Sequence, residues 1–182
     1  MPRRTRLVLP LLAALALAVL TVTISACGYS SDSKEVVEGE VVKLGDLKYQ
    51  VVFSRFLNPN DNEDSAYLVG QAPLPKGSSY FGVFLEVQNK SEENQKLAET
   101  FTIADADEET FDALPSESLY AFPFGGEVES QEPVPAPDST PQQGPIEGSL
   151  VLFELPSSAS ENRPLTLSFD GPEGPAEVTL DL

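Results

Sequence analysis

Beyond about residue 40, apolar and polar residues alternate along the chain with a period of two. Val42 and Leu44 lead into the turn pair Gly45-Asp46. Leu47, Tyr49, Val51 and Phe53 then alternate with Lys48, Gln50, Val52 and Ser54, the signature of a half-buried strand. Tyr67-Leu68-Val69 reads as a short strand. Tyr80 to Asn89 reads as a long one, with Phe81, Val83, Leu85 and Val87 on one face and Gly82, Phe84, Glu86 and Gln88 on the other. Phe101 and Ile103 open a hairpin that turns at Asp105-Ala106-Asp107-Glu108 and returns through Thr110 and Phe111. Leu150 to Leu155 is nearly all apolar and predicts a central strand. Leu165, Leu167 and Phe169, then Val178, Leu180 and Leu182, predict two closing strands around the turn Gly171 to Pro175. No helical period of useful length appears in this stretch. The pattern predicts an all-β fold, an immunoglobulin-like antiparallel β-sandwich of about seven to nine strands.

Two segments break the alternation. Leu119 to Phe124 is apolar and aromatic, and predicts a sandwich edge or corner. Gly125 to Pro145 carries prolines at 133, 135, 137, 141 and 145 among Gln, Glu and Ser. Proline cannot donate to a ladder, so a mobile, partly polyproline-like loop is expected there, inserted within one domain.

The first 27 residues are of another kind. Arg3, Arg4 and Arg6 precede an apolar run from Leu7 to about Leu20, which closes on Ile24-Ser25-Ala26-Cys27. A positive start, a short apolar stretch and small residues describe a secretory signal. The last four residues resemble the bacterial lipobox, which implies cleavage before Cys27 and attachment of lipid to its thiol. The expected organisation is a lipoprotein signal peptide over 1–26, a flexible tether over 27–35 and the sandwich over 36–182. Arg3-Arg4 leaves both general and twin-arginine export open. Two acyl chains give stable anchoring, since each buried CH2 contributes about 0.8 kcal/mol. The expected location is the extracytoplasmic face of the cell membrane.

Charge sharpens this picture. Every acidic residue lies beyond Cys27, so the exported part holds 29 acidic against eight basic residues, a net charge of −21. Such a field repels nucleic acid and anionic head groups, so no nucleic-acid partner is expected. The chain has no His and no Trp; its one Met is the initiator and its one Cys is Cys27. The usual ligands of zinc, copper, haem and iron–sulfur clusters are missing, as is the commonest general base. No cofactor is expected. Only carboxylate- or lysine-based catalysis stays open, such as a glycosidase with two facing carboxyls.

Three groups are candidates for chemistry. Asn58, Asn60, Asn62 and Asp64 alternate oxygen-bearing side chains and could form a hard-cation site for calcium-dependent adhesion, although an exposed loop explains them more simply. Asp105, Asp107, Glu108 and Glu109 cluster in a hairpin turn, where Asp is common for conformational reasons. Tyr120, Phe122 and Phe124 border the proline-rich insertion and offer an aromatic partner surface.

Three segments resemble a family of bacterial exported immunoglobulin-like domains of unknown function, the telokin-like type that includes secreted mycobacterial antigens. They are Tyr80 to Ser91, Phe101 to Phe111 and Gly148 to Pro156, and the resemblance spans about Glu40 to Leu182. It implies an immunoglobulin-like sandwich and frequent lipid anchoring, and no shared catalytic residues. The proline-rich insertion departs from the family's compact pattern. The expected function is that of a membrane-anchored, non-catalytic binding or accessory module for an envelope protein, not an enzyme.

Overall fold

A computed structural model describes residues 34–171 and 174–181. The expected signal segment, Cys27 and most of the expected tether lie outside the described residues.

The strands are β1 (Glu35–Val37), β2 (Val41–Leu44), β3 (Leu47–Leu57), β4 (Ser78–Asn89), β5 (Gln95–Lys96), β6 (Phe101–Ala104), β7 (Thr110–Asp112), β8 (Glu127–Val128), β9 (Pro133–Val134), β10 (Ser149–Pro156), β11 (Thr166–Phe169) and β12 (Ala176–Thr179). Two short helices join them, α1 (Asn62–Tyr67) and α2 (Ser157–Glu161). One sheet runs β1-β12-β11-β6-β7 and the other β10-β4-β3-β2, with β9 added to the end of β4 and β5 paired with β8 apart. The expected all-β sandwich is what forms, and nine of these strands have three or more residues. The pairs are antiparallel except β1 with β12, which is parallel.

The inner faces meet in one core. Tyr49, Val51, Phe81, Val83, Leu85 and Val87 from one sheet face Phe101, Ile103, Leu167, Phe169 and Val178 from the other, all buried. Phe101 is the hub of its aromatic part, with ring centroids 5.1 Å from Phe169, 5.1 Å from Phe122 and 5.6 Å from Phe124. The Tyr49 hydroxyl accepts a 2.9 Å bond from the Ala98 amide. Burial raises its pKa, and that hydrogen bond partly offsets the rise.

A second, smaller core lies on the outer face of the β4 sheet, where Tyr80, Phe84, Leu150 and Leu152 are covered by Tyr67 and Leu68. Strands apolar on both faces read as continuous hydrophobic runs. This explains Leu150 to Leu155, and why Phe84 is as buried as its neighbours. Side chains pack closely over Gly82 here: a Cβ on it would sit 2.9 Å from Leu150 Cδ1.

Three expectations need correction. The alternation through Phe53 fails at a bulge, where the register shifts between Val51 and Phe53. Phe53 is turned outward at 44% exposure and Ser54 inward at 3%. The buried Ser54 is satisfied by Glu38, whose carboxylate accepts from its amide (3.0 Å) and its hydroxyl (2.5 Å). Tyr67-Leu68-Val69 is not a strand, since Tyr67 ends α1. Glu35, placed in the tether, belongs to β1.

Candidate functional site

The proline-rich segment, expected to be a loose loop, is fastened over its first half, from Gly126 to Val134. β8 pairs with β5, and Leu97 donates to the Gly126 carbonyl at 2.8 Å. β9 pairs with Val87 and Gln88 of β4. Asn89, 1% exposed at the end of β4, joins the two ladders. Its side-chain amide donates to the carbonyls of Glu93 (2.7 Å) and Glu129 (3.0 Å), and its backbone amide to that of Glu132 (3.1 Å). The Gln131 side chain donates to the Lys90 and Ser91 carbonyls at 3.0 and 2.7 Å. Pro135 and Pro141 are buried. Prolines cannot supply donors, so Asn89 and Gln131 supply them instead.

Leu119 to Phe124 runs along the outer edge of β10, as an edge segment should. Leu150 donates to the Tyr120 carbonyl at 2.7 Å, and Phe122 donates to the Leu150 carbonyl at 2.8 Å. Phe122 is 2% exposed and therefore offers no partner surface. Tyr120 and Phe124 are half-buried, Tyr120 against Tyr67 at 4.8 Å and Phe124 against Phe122 at 5.7 Å. Burial removes Phe122 from the expected aromatic surface, while Tyr120 and Phe124 stay partly exposed. The alternation puts the opposite residues outward: Leu119, Ala121 and Pro123 line one side of a groove. Leu119 is 79% exposed.

Across the groove stand Val134 and the prolines at 133, 135 and 141, and its rim carries Glu127, Glu129 and Glu132. Its volume is about 550 Å3, within the range of ligand pockets. The three glutamates are exposed, and among the described residues none forms a salt bridge. The groove thus carries apolar residues and three glutamates on one lining.

The two acidic candidates are occupied otherwise. Asp61 caps α1, accepting from the amides of Glu63 and Asp64. Asp64 is buried and takes a two-armed hydrogen bond from Arg55, with Nη1 3.1 Å from Oδ2. It also accepts from the Asn58 amide at 2.7 Å. Asn58 in turn accepts from the Asn60 amide, and Asn62 opens α1. The Asp64 carboxylate is therefore committed to Arg55. Asp105 is buried and accepts from the amides of Asp107 and Glu109, each at 3.0 Å, and from the Asn162 side chain at 3.2 Å. Its work is to shape the hairpin, in which Glu108 has φ 65° and leaves Asp107, Glu108 and Glu109 exposed. Among the described residues no group of three or more Asp or Glu is arranged to hold a metal ion.

A smaller cleft of about 340 Å3 brings Glu99 and Asp170 together beside Leu44 and Lys96. Glu99 is held below the usual carboxylate pKa by a hydrogen bond from Lys96 and by its charge. Asp170 accepts from the Thr100 hydroxyl at 2.7 Å.

No protein-family model matches the chain, and no curated protein does. Solved structures do. An uncharacterized β-sandwich protein from Clostridium difficile aligns over 81% of this chain and 94% of its own, at 16% identity and a TM-score of 0.50. The yjhA protein from Bacillus subtilis aligns over 80% of this chain and 99% of its own, at 16% identity and a TM-score of 0.53. At such identity the likeness concerns the fold alone: the chain shares its β-sandwich architecture with these two bacterial proteins.

Proposed function

We propose that the chain is a lipid-anchored extracytoplasmic binding module that engages an envelope protein through the groove beside Leu119. The observation that carries this reading is a leucine left 79% exposed at the mouth of a proline-walled groove. Leu119 shares one lining with Ala121, Pro123, Pro133 and Val134, and a grouped apolar surface of this kind fits an interaction site. The lipobox at Ile24 to Cys27 supports the anchoring, and the resemblance to telokin-like exported domains agrees with it.

A non-catalytic role fits the chemistry best. A glycosidase needs a general acid whose pKa is raised. In the cleft that brings Glu99 and Asp170 together, Lys96 moves Glu99 the other way. Calcium-dependent adhesion through Asn58 to Asp64 would have to displace Arg55 from Asp64.

A photo-crosslinking amino acid at Leu119, activated in native membranes, tests the binding role. The expected result is a discrete adduct that is lost when the crosslinker is moved to Asp107. The absence of any adduct specific to position 119 would sink it. Labelling with an alkyne fatty acid tests the anchor. The expected result is that Cys27→Ala loses both label and membrane retention. Retention without label would point to an uncleaved anchor helix.

A further inference from the structure

The chemistry of the groove narrows what can occupy it. We infer that it takes an extended, cationic peptide segment of a partner protein, and this rests on the binding-module reading above. Leu119, Ala121, Pro123, Pro133 and Val134 give the groove its accessible apolar surface, Pro135 and Pro141 in the same lining are buried, and no basic side chain stands in it. Glu127, Glu129 and Glu132 stand on the same lining. Lysine and arginine suit such a surface, because their aliphatic stems lie on apolar walls while their charged heads reach outward.

Two cations border this segment: Lys90, which follows Asn89 and forms no salt bridge among the described residues, and Lys96, which is engaged elsewhere. Lys96 stands opposite Glu127 in the β5–β8 ladder, but its ammonium lies 2.9 Å from Glu99. The rim glutamates therefore face solvent with their charge uncompensated by a salt bridge among the described residues. An anionic segment would meet three carboxylates at the rim and a field of −21 from the exported part as a whole. A cationic one is attracted by both, at long range and at contact.

The walls also favour a bound segment entropically. Proline has little freedom left to lose, and Asn89 and Gln131 already hold the far wall in place. The partner's segment, not the groove, supplies most of the ordering cost.

The test uses the full-length protein solubilised in detergent and two fluorescein-labelled hexapeptides, one alternating Arg and Leu, the other Glu and Leu. Fluorescence anisotropy is expected to show binding of the first and not the second. The triple variant E127Q/E129Q/E132Q should weaken the arginine peptide by about tenfold or more, since it removes contact charges. The triple variant D107N/E108Q/E109Q removes the same charge from the exposed hairpin turn and should weaken it by less than about twofold, through the screened field alone. Leu119→Ser should weaken it without altering its salt dependence. No binding of the arginine peptide, or equal losses in the two triple variants, would overturn the proposal. A crosslinked partner at Leu119 that presents no basic segment would overturn it as well, while leaving the binding-module reading intact.

Discussion

The sheet containing β4 is covered at both ends, in different ways. At the Leu57 and Tyr80 end, α1 lays Tyr67 and Leu68 over Phe84 and Leu150 and closes a second core. At the Val87 and Gln88 end, the proline-rich strap lies along the sheet and leaves a groove. The first cover brings large side chains that fill space, with Tyr67 5.1 Å from Phe84. The second brings prolines, which are small and hold their own shape. Cover by aromatics yields stability; cover by prolines yields a stiff, unfilled surface. The two ends differ in what their side chains can fill rather than in how well they are fastened.

This contrast can be broken by substitution, and the closed end should suffer most. Phe84→Ala should cost about 3–5 kcal/mol, read as a lowered denaturation midpoint. A loss below about 1 kcal/mol would mean that the second core is not packed as described. Asp64→Ala removes the buried partner of Arg55, which keeps Glu63 at 3.6 Å, and the acceptor of the Asn58 amide. It should cost about 2–3 kcal/mol in the same measurement, discounted because Arg55 is partly exposed. Asn89→Ala should cost about 2 kcal/mol and expose the strap between Glu129 and Asp138 to protease. If the strap stays resistant, its prolines hold it without Asn89. Leu119→Ser should change stability by less than about 0.5 kcal/mol. A larger loss would make Leu119 a core residue and the groove a packing fault. The smallest effect belongs to Lys96→Met, which should raise the Glu99 pKa toward its ordinary value in an NMR titration. Because Lys96 lowers that pKa, the interaction exists above the unfolded carboxylate pKa and fades as pH falls through the folded one. An unchanged Glu99 titration would contradict the pairing.

Burial sets a different pH limit. The raised pKa of Tyr49 favours its neutral form in the fold. Its contribution is therefore complete below the unfolded value of 10.0 and is lost as pH rises through the folded one.

The strands were legible because their period of two is written locally. Leu47 to Val51, Phe81 to Val87 and Leu165 to Phe169 all face as the alternation predicts. Reading failed wherever the deciding partner was distant. The bulge that turns Phe53 outward goes with a bond from Ser54 to Glu38, 16 residues earlier. The order of the strap depends on Asn89, 40 residues before Glu129. α1 is too short to show a period, but Asp61 followed by Glu63 and Asp64 carried a usable capping signal. The groove was half legible. The segment at Leu119 to Phe124 stood out as apolar, and its period of two already separates the even-numbered aromatics from Leu119, Ala121 and Pro123. Large aromatics drew the reading to Phe122, which is buried, and away from Leu119, which is exposed.

The parallel pairing of β1 with β12 has a mechanical side. A pull applied upstream of Lys34, along the strand, loads the ladder in shear, so its bonds share the force and do not break in succession. Glu177 donates to the Lys34 carbonyl at 2.7 Å and Glu38 to that of Thr179 at 2.8 Å. The Glu38 carboxylate extends this grip, tying Ser54 in β3 and the Asp181 amide, 3.1 Å away, to the same short strand. The point where tension from an N-terminal anchor would enter the domain is thus cross-linked to β12 and to the β3–β4 hairpin, so a pull there would meet shared bonds rather than a free end.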